Sequence, residues 1–150
     1  MAIALLLHLL AATLWVGGMF FALAILRPAT LTLEIPLRVG LWTHVLERFM
    51  VVVWVAVITL PVTGYWMIFS GFGGMTGLGH HIRFMEGVGW CMIVLFLVLY
   101  FRAFLPMRRM AKQLLIPETG LYIERIRKIV RINLILGLLT FAAAGAGRYW

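Results

Sequence analysis

From the N-terminus, apolar residues neither alternate at the period of a strand nor keep to the single stripe of a soluble helix. They run on. Four stretches, approximately Ala2 to Leu26, Phe49 to Ser70, Phe84 to Leu105 and Ile129 to Ala146, are almost free of charge. Each is close to the ~20 residues a bilayer-spanning helix needs. The pattern predicts an all-α membrane protein, one domain over residues 1–150, with four transmembrane helices in an antiparallel bundle. Pro28 is expected to end the first helix and Pro106 the third, because proline lacks an N–H and its ring crowds the preceding turn. Pro61 is expected to kink the second. The opening run MAIALLLHLLAATLW has no basic residue ahead of it, so it reads as a retained first helix rather than a cleavable signal peptide.

Composition sharpens this picture. Hydrophobic residues make up 64% of the chain, charged residues 12%, and the mean hydropathy is +1.06. Soluble domains have roughly 45–50% apolar and about 25% charged residues, so lipid is the expected solvent and the bilayer the first partner. Thirteen Lys and Arg stand against five Glu, with no Asp, for a net charge of +8. In a soluble protein that excess would point to nucleic acid. Here the cations lie between apolar runs, where they set orientation instead. Eleven of the 13 flank the first and third connections: Arg27, Arg38, Arg48, Arg102, Arg108, Arg109, Lys112, Arg125, Arg127, Lys128 and Arg131. Arg83 and Arg148 are left for the other side. The expectation is a multi-pass protein of a bacterial-type inner membrane, with both termini and the second connection outside.

The third connection, Met107 to Lys128, is basic; Thr119 is expected to cap a helix there, with Glu124 and Lys128 pairing at i,i+4. The lone Cys91 excludes an intrachain disulfide and any CxxC motif, and mid-span it reads as a packing residue. No nucleophile triad, phosphate loop or paired carboxylate appears, so hydrolase and kinase chemistry are set aside.

Candidate chemistry rests on four histidines. His8 lies about six residues inside the first span, ~9 Å along a helix, and an ionisable side chain there is expected to face the bundle interior. His8, Ala12, Trp15 and Met19 share one helical stripe. His80 and His81 close the glycine-rich second connection, SGFGGMTGLGHHIRF, at the same end of the bundle as His8. His44 belongs to the opposite end, ~25 Å away, where Glu47 and Arg48 read as an interfacial ion pair. Three readings of the histidine end stay open. Haem b could lie between the helices, with His8 and either His81 or His80 as axial imidazoles. Arg83 would then face a propionate, and Glu86 would orient Arg83 through an i,i+3 pair or pass a proton. Copper could instead bind the thioethers and imidazoles of Met75, His80, His81 and Met85. In a purely structural role, His8 would only hydrogen-bond across helices.

The residues also carry a resemblance. His8 followed by Trp15, Val16, Gly17, Gly18, Met19 and Phe20 resembles the first helix of the CopD-like and HemJ-type four-helix membrane proteins. VLERFMVVVW with LPVTGYWM is similar to their second helix, and His81-Ile-Arg83 stands where they carry a His-x-Lys element. RINLILGLL and the terminal GAGR resemble their fourth helix. HemJ-type proteins are protoporphyrinogen IX oxidases that bind haem b through the first-helix histidine, a role that would fall on His8. CopD-like proteins are associated with copper uptake or resistance. In this chain Arg83 replaces the lysine, Asn133 is not followed by glutamate, and ALAILRPA ends the first helix. These departures bear on the oxidase activity more than on cofactor binding. The resemblance implies a haem b-binding redox protein, in electron transfer or in porphyrinogen or quinone oxidoreduction, and His81 becomes the second ligand in preference to His80. The alternatives are copper transport and a non-catalytic subunit; a homodimer or a larger membrane complex is the expected assembly.

Overall fold

A computed structural model describes residues 1–71, 74–75 and 78–147. Four helices long and apolar enough to cross a membrane follow one another: α1 (Ala2–Thr32), α2 (Ile35–Gly71), α3 (His80–Lys112) and α4 (Ile116–Ala146). Among the described residues there is no strand. The chain is an all-α, multi-pass membrane protein. Short connections between α1 and α2 and between α3 and α4 make these neighbours antiparallel.

The helices are longer than the apolar runs that predict them. At 1.5 Å per residue, 31 residues of helix reach ~46 Å, against a hydrocarbon core of ~30 Å. Most of the surplus lies at the arginine-rich end. The two prolines expected to stop helices do not stop them. Before Pro28 the chain widens into a π turn over Ala22–Leu26, with the Arg27 N–H donating to the Ala22 carbonyl. Before Pro106 the same device recurs over Tyr100–Phe104, with the Leu105 N–H donating to Tyr100. In each case the residue ahead of the proline closes a five-residue turn, which relieves the crowding that a proline ring imposes on a normal turn. Pro61 sits inside α2, and the helix continues through it.

At the start of α4, Leu115 rather than Thr119 occupies the N-cap position, and Pro117 stands in the first turn. Thr119 is already inside the helix, fully buried, and donates to the Leu115 carbonyl at 2.7 Å. Glu124 pairs with Arg127, at i,i+3, and not with Lys128.

Helix α1 packs chiefly on α2 and α3 on α4, while α4 also touches α1 and α2. Gly137 sets how close α4 comes to α1: a Cβ there would lie 2.7 Å from a methyl of Val16. The centre is held by aromatic edges. Trp54 of α2 meets Phe96 and Tyr100 of α3, each at 5.3 Å between ring centres, and Trp15 of α1 meets Phe96 at 6.2 Å. Such pairs add about 0.5–1.5 kcal/mol each beyond area burial. Leu6, Leu14, Val55, Ile58, Val62 and Ile135 are exposed on the outer faces, as lipid contact requires.

Candidate functional site

Below the aromatic layer, toward the end bearing His8 and His81, the four helices line a partly open cavity of about 540 Å³. Its walls take His8, Ala12 and Trp15 from α1, Pro61, Gly64 and Tyr65 from α2, His81, Met85, Glu86 and Trp90 from α3, and Gly137, Thr140 and Ala144 from α4. That size falls within the 300–1,000 Å³ typical of small-molecule and cofactor sites. Much of the room comes from small residues, since glycine or alanine stands where a larger side chain would fill it.

His8 is held against α2, by the Leu60 backbone and by Thr63. Its Nδ1 lies 2.9 Å from the Thr63 hydroxyl oxygen, and that hydroxyl donates its single proton to the Thr59 carbonyl at 2.6 Å. Thr63 must therefore accept, so the proton of a neutral His8 sits on Nδ1, and Nε2 keeps its lone pair. This is the tautomer that suits a metal ligand. Gly64, one residue on, lets α2 lie against the imidazole: a Cβ there would meet His8 Cε1 at 3.4 Å. The stripe read from the sequence places His8, Ala12 and Trp15 on the cavity wall, with Trp15 only 3% exposed, and Met19 in the core beneath.

His81 is the second residue of α3 and lines the same cavity. Its ring tucks against Gly79, where a Cβ would come within 2.8 Å of Cε1, and its Cβ packs against Gly147 at the end of α4. His80 is exposed and does not line the cavity. Met85 does; Met75 is exposed and outside it, so of the four copper candidates only His81 and Met85 are brought together here. Among the described residues no three His, Cys, Asp or Glu side chains are grouped to hold a metal ion.

A second polar feature was not anticipated. Tyr65 donates to Glu86 Oε1 at 2.6 Å and accepts from Trp90 Nε1 at 3.1 Å. This chain of three joins α2 to α3 across the cavity. It also replaces the expected Arg83–Glu86 pair: Glu86 turns to the tyrosine, while Arg83 is exposed and outside the lining. Nothing in residue spacing announces such a partner. A hydroxyl residue beside a mid-span proline is the faint signal that could have singled out Thr63.

Elsewhere, Glu47 pairs with Arg108 of α3 at 2.9 Å rather than with Arg48, and His44 Nδ1 donates to the Gly40 carbonyl at 2.8 Å. Cys91 is exposed on the outside of α3 and is not a packing residue of the core. Arg148 lies outside the described residues, as do Phe72, Gly73, Thr76 and Gly77 of the second connection. No family model, curated protein or solved structure matches the chain.

Proposed function

We propose that the protein is a haem b-binding integral membrane redox protein with His8 and His81 as its axial imidazoles. The observation that carries the reading is the sharing of one largely apolar cavity by these two histidines, on separate helices, with His8 already in a ligand tautomer. The residues fit a porphyrin in three respects. The volume is ample, Gly64, Gly89, Gly137 and Ala144 leave flat walls, and Trp15 supplies an aromatic face. When bound, haem supplies one-electron exchange. The chain's own contribution is to hold His8 through Thr63, to exclude water with apolar walls, and to keep Glu86 and Tyr65 at the edge, where a proton can be held. Arg83, the expected propionate partner, is exposed and does not line the cavity.

The excess of Lys and Arg at the other end favours a bacterial-type inner membrane, with both termini and the haem on the outer side. A quinone or porphyrin reaching the site from lipid suits the aromatic and apolar character of the cavity edge. Gly17 and Gly87, on separate helices, each face outward with open space around them, positions where a second copy of the chain or a partner helix can approach closely.

Copper remains the second reading, because Met1, Met67, Met85 and Met92 also line the cavity and thioethers favour copper(I). One experiment separates the readings. Protein purified in detergent from haem-replete cells is expected to show a Soret band, sharp reduced α and β bands and stoichiometric iron, and His8→Ala to lose them while the protein still inserts. A colourless, iron-free protein overturns the haem reading; copper in that sample supports the second, and no metal leaves a structural subunit.

A further inference from the structure

A cation inside a membrane protein is costly to desolvate and is normally answered by an anion. Among the described residues four arginines are half-buried, Arg27, Arg38, Arg108 and Arg127, while the remaining Lys and Arg are exposed. Arg108 is answered by Glu47. The other three line a second cavity, of about 280 Å³, where the end of α1 meets the starts of α2 and α4. Glu124 is the only carboxylate in that lining, and it pairs with Arg127. Among the described residues, no carboxylate pairs with Arg27 or Arg38.

Two details show that the protein's own groups do not answer these guanidiniums. Arg27 Nε is fully buried and has no hydrogen-bond partner, although a buried guanidinium donor normally has one. The hydroxyl in the same lining is already committed: Thr30 donates to the Arg27 carbonyl at 2.9 Å and accepts from Trp42 Nε1 at 3.2 Å. The Arg127 guanidinium also feels the like charges of Arg27 and Arg131, which an anion would relieve. Three planar forks around one small cavity match the geometry of a phosphate, whose oxygens accept paired N–H donors. Position agrees with this. Arg27 follows His8 by ~28 Å along α1, and His8 itself already lies inside the opposite boundary of a ~30 Å core, so the pocket lies past the hydrocarbon, at headgroup level. Its remaining walls, Trp42, Val39 and Ile123, are apolar.

We infer that the pocket formed by Arg27, Arg38 and Arg127 is a phosphate-anion site at the basic end of the bundle. Basic pockets between membrane helices bind lipid headgroups by this chemistry. The test uses the full chain in neutral detergent. Native mass spectrometry reads retention of phosphatidylglycerol against phosphatidylcholine, and titration with inorganic phosphate reads a soluble anion.

Wild-type protein is expected to retain phosphatidylglycerol in preference to phosphatidylcholine, or to bind inorganic phosphate without lipid. The first result assigns the phosphate to a lipid and the second to a soluble ligand. Arg27→Gln with Arg38→Gln is expected to weaken binding about tenfold or more, as loss of a charge-assisted contact implies. Arg125→Gln with Lys128→Gln, outside the pocket, is expected to bind as wild type. If the double pocket variant fails to fold, Arg38→Gln alone carries the test, since among the described residues its side chain makes no hydrogen bond. Equal retention of both lipids with no phosphate binding overturns the inference. So does unchanged binding in the folded pocket variants, or an equal loss in the control.

Discussion

At the end of the bundle that carries His8 and His81 the helices leave space between them; at the other end they gather charge. Both ends are built from the same four helices, and their polar groups follow different rules. The histidine end holds His8 and Glu86 by contacts within the protein and with little charge: the His8 N–H goes to Thr63, and Glu86 accepts from Tyr65, which in turn accepts from Trp90. The basic end holds the other four glutamates and eleven of the 13 cations, yet forms few ion pairs between helices. What separates them is depth. Side chains in the hydrocarbon must find partners within the protein, because no water reaches them, whereas side chains at headgroup level can leave that to lipid and solvent.

The contrast is tested most severely at Thr63, which on this account positions His8 rather than touching a ligand itself. Thr63→Val keeps the shape and removes the acceptor for Nδ1–H. Loss of such an outer partner typically lowers metal affinity 10–100-fold, and haem retention in the purified variant is expected to fall by that factor. Thr63→Ser is expected to restore it along with the low-spin spectrum. Haem binding in Thr63→Val equal to wild type would show that His8 is oriented by packing alone.

This dependence on cross-helix partners also marks how far the sequence could be read. The four spans are legible because hydropathy over ~20 residues needs no knowledge of neighbours, and His8 stands out because ionisable residues are rare in lipid. Partner choice is different. The i,i+3 spacing of Arg83 and Glu86 is a valid local rule, but Tyr65 reaches Glu86 from another helix and wins. Glu47 likewise passes over Arg48 for Arg108, 61 residues away. Pro28 and Pro106 misled for a backbone reason, since the π turn ahead of each carries the helix onward.

Gly137 offers a smaller effect on the space itself. A methyl there meets Val16, whose branched side chain is held to few rotamers in a helix, and also meets Met92 at 3.3 Å. Gly137→Ala is expected to destabilise the fold by about 1–3 kcal/mol, the usual penalty of overpacking, read as a lower unfolding midpoint in detergent. Helix propensity offsets little of this, because separated membrane helices remain helical. Gly17→Ala, with open space around it, is expected to stay within about 0.5 kcal/mol of wild type. Equal effects at the two glycines would mean that α1 and α4 do not pack as closely as Val16 and Gly137 imply.

The smallest effect is expected where the charge is densest. Arg108 and Glu47 meet at 2.9 Å, but their side chains are 43% and 37% exposed. Pairs with that access to solvent contribute roughly 0.2–1 kcal/mol, because water and salt screen the attraction and two long side chains must be held still. Glu47→Gln removes the charge and keeps the shape, and Arg108 can turn to lipid phosphate or water. The unfolding midpoint is therefore expected to move by less than about 1 kcal/mol equivalent, with haem absorbance unchanged, and the shift to shrink further in high salt. A loss several times larger, insensitive to salt, would mean that this pair holds α2 to α3 in a dry environment. The two ends would then obey one rule, and depth would not be what divides them.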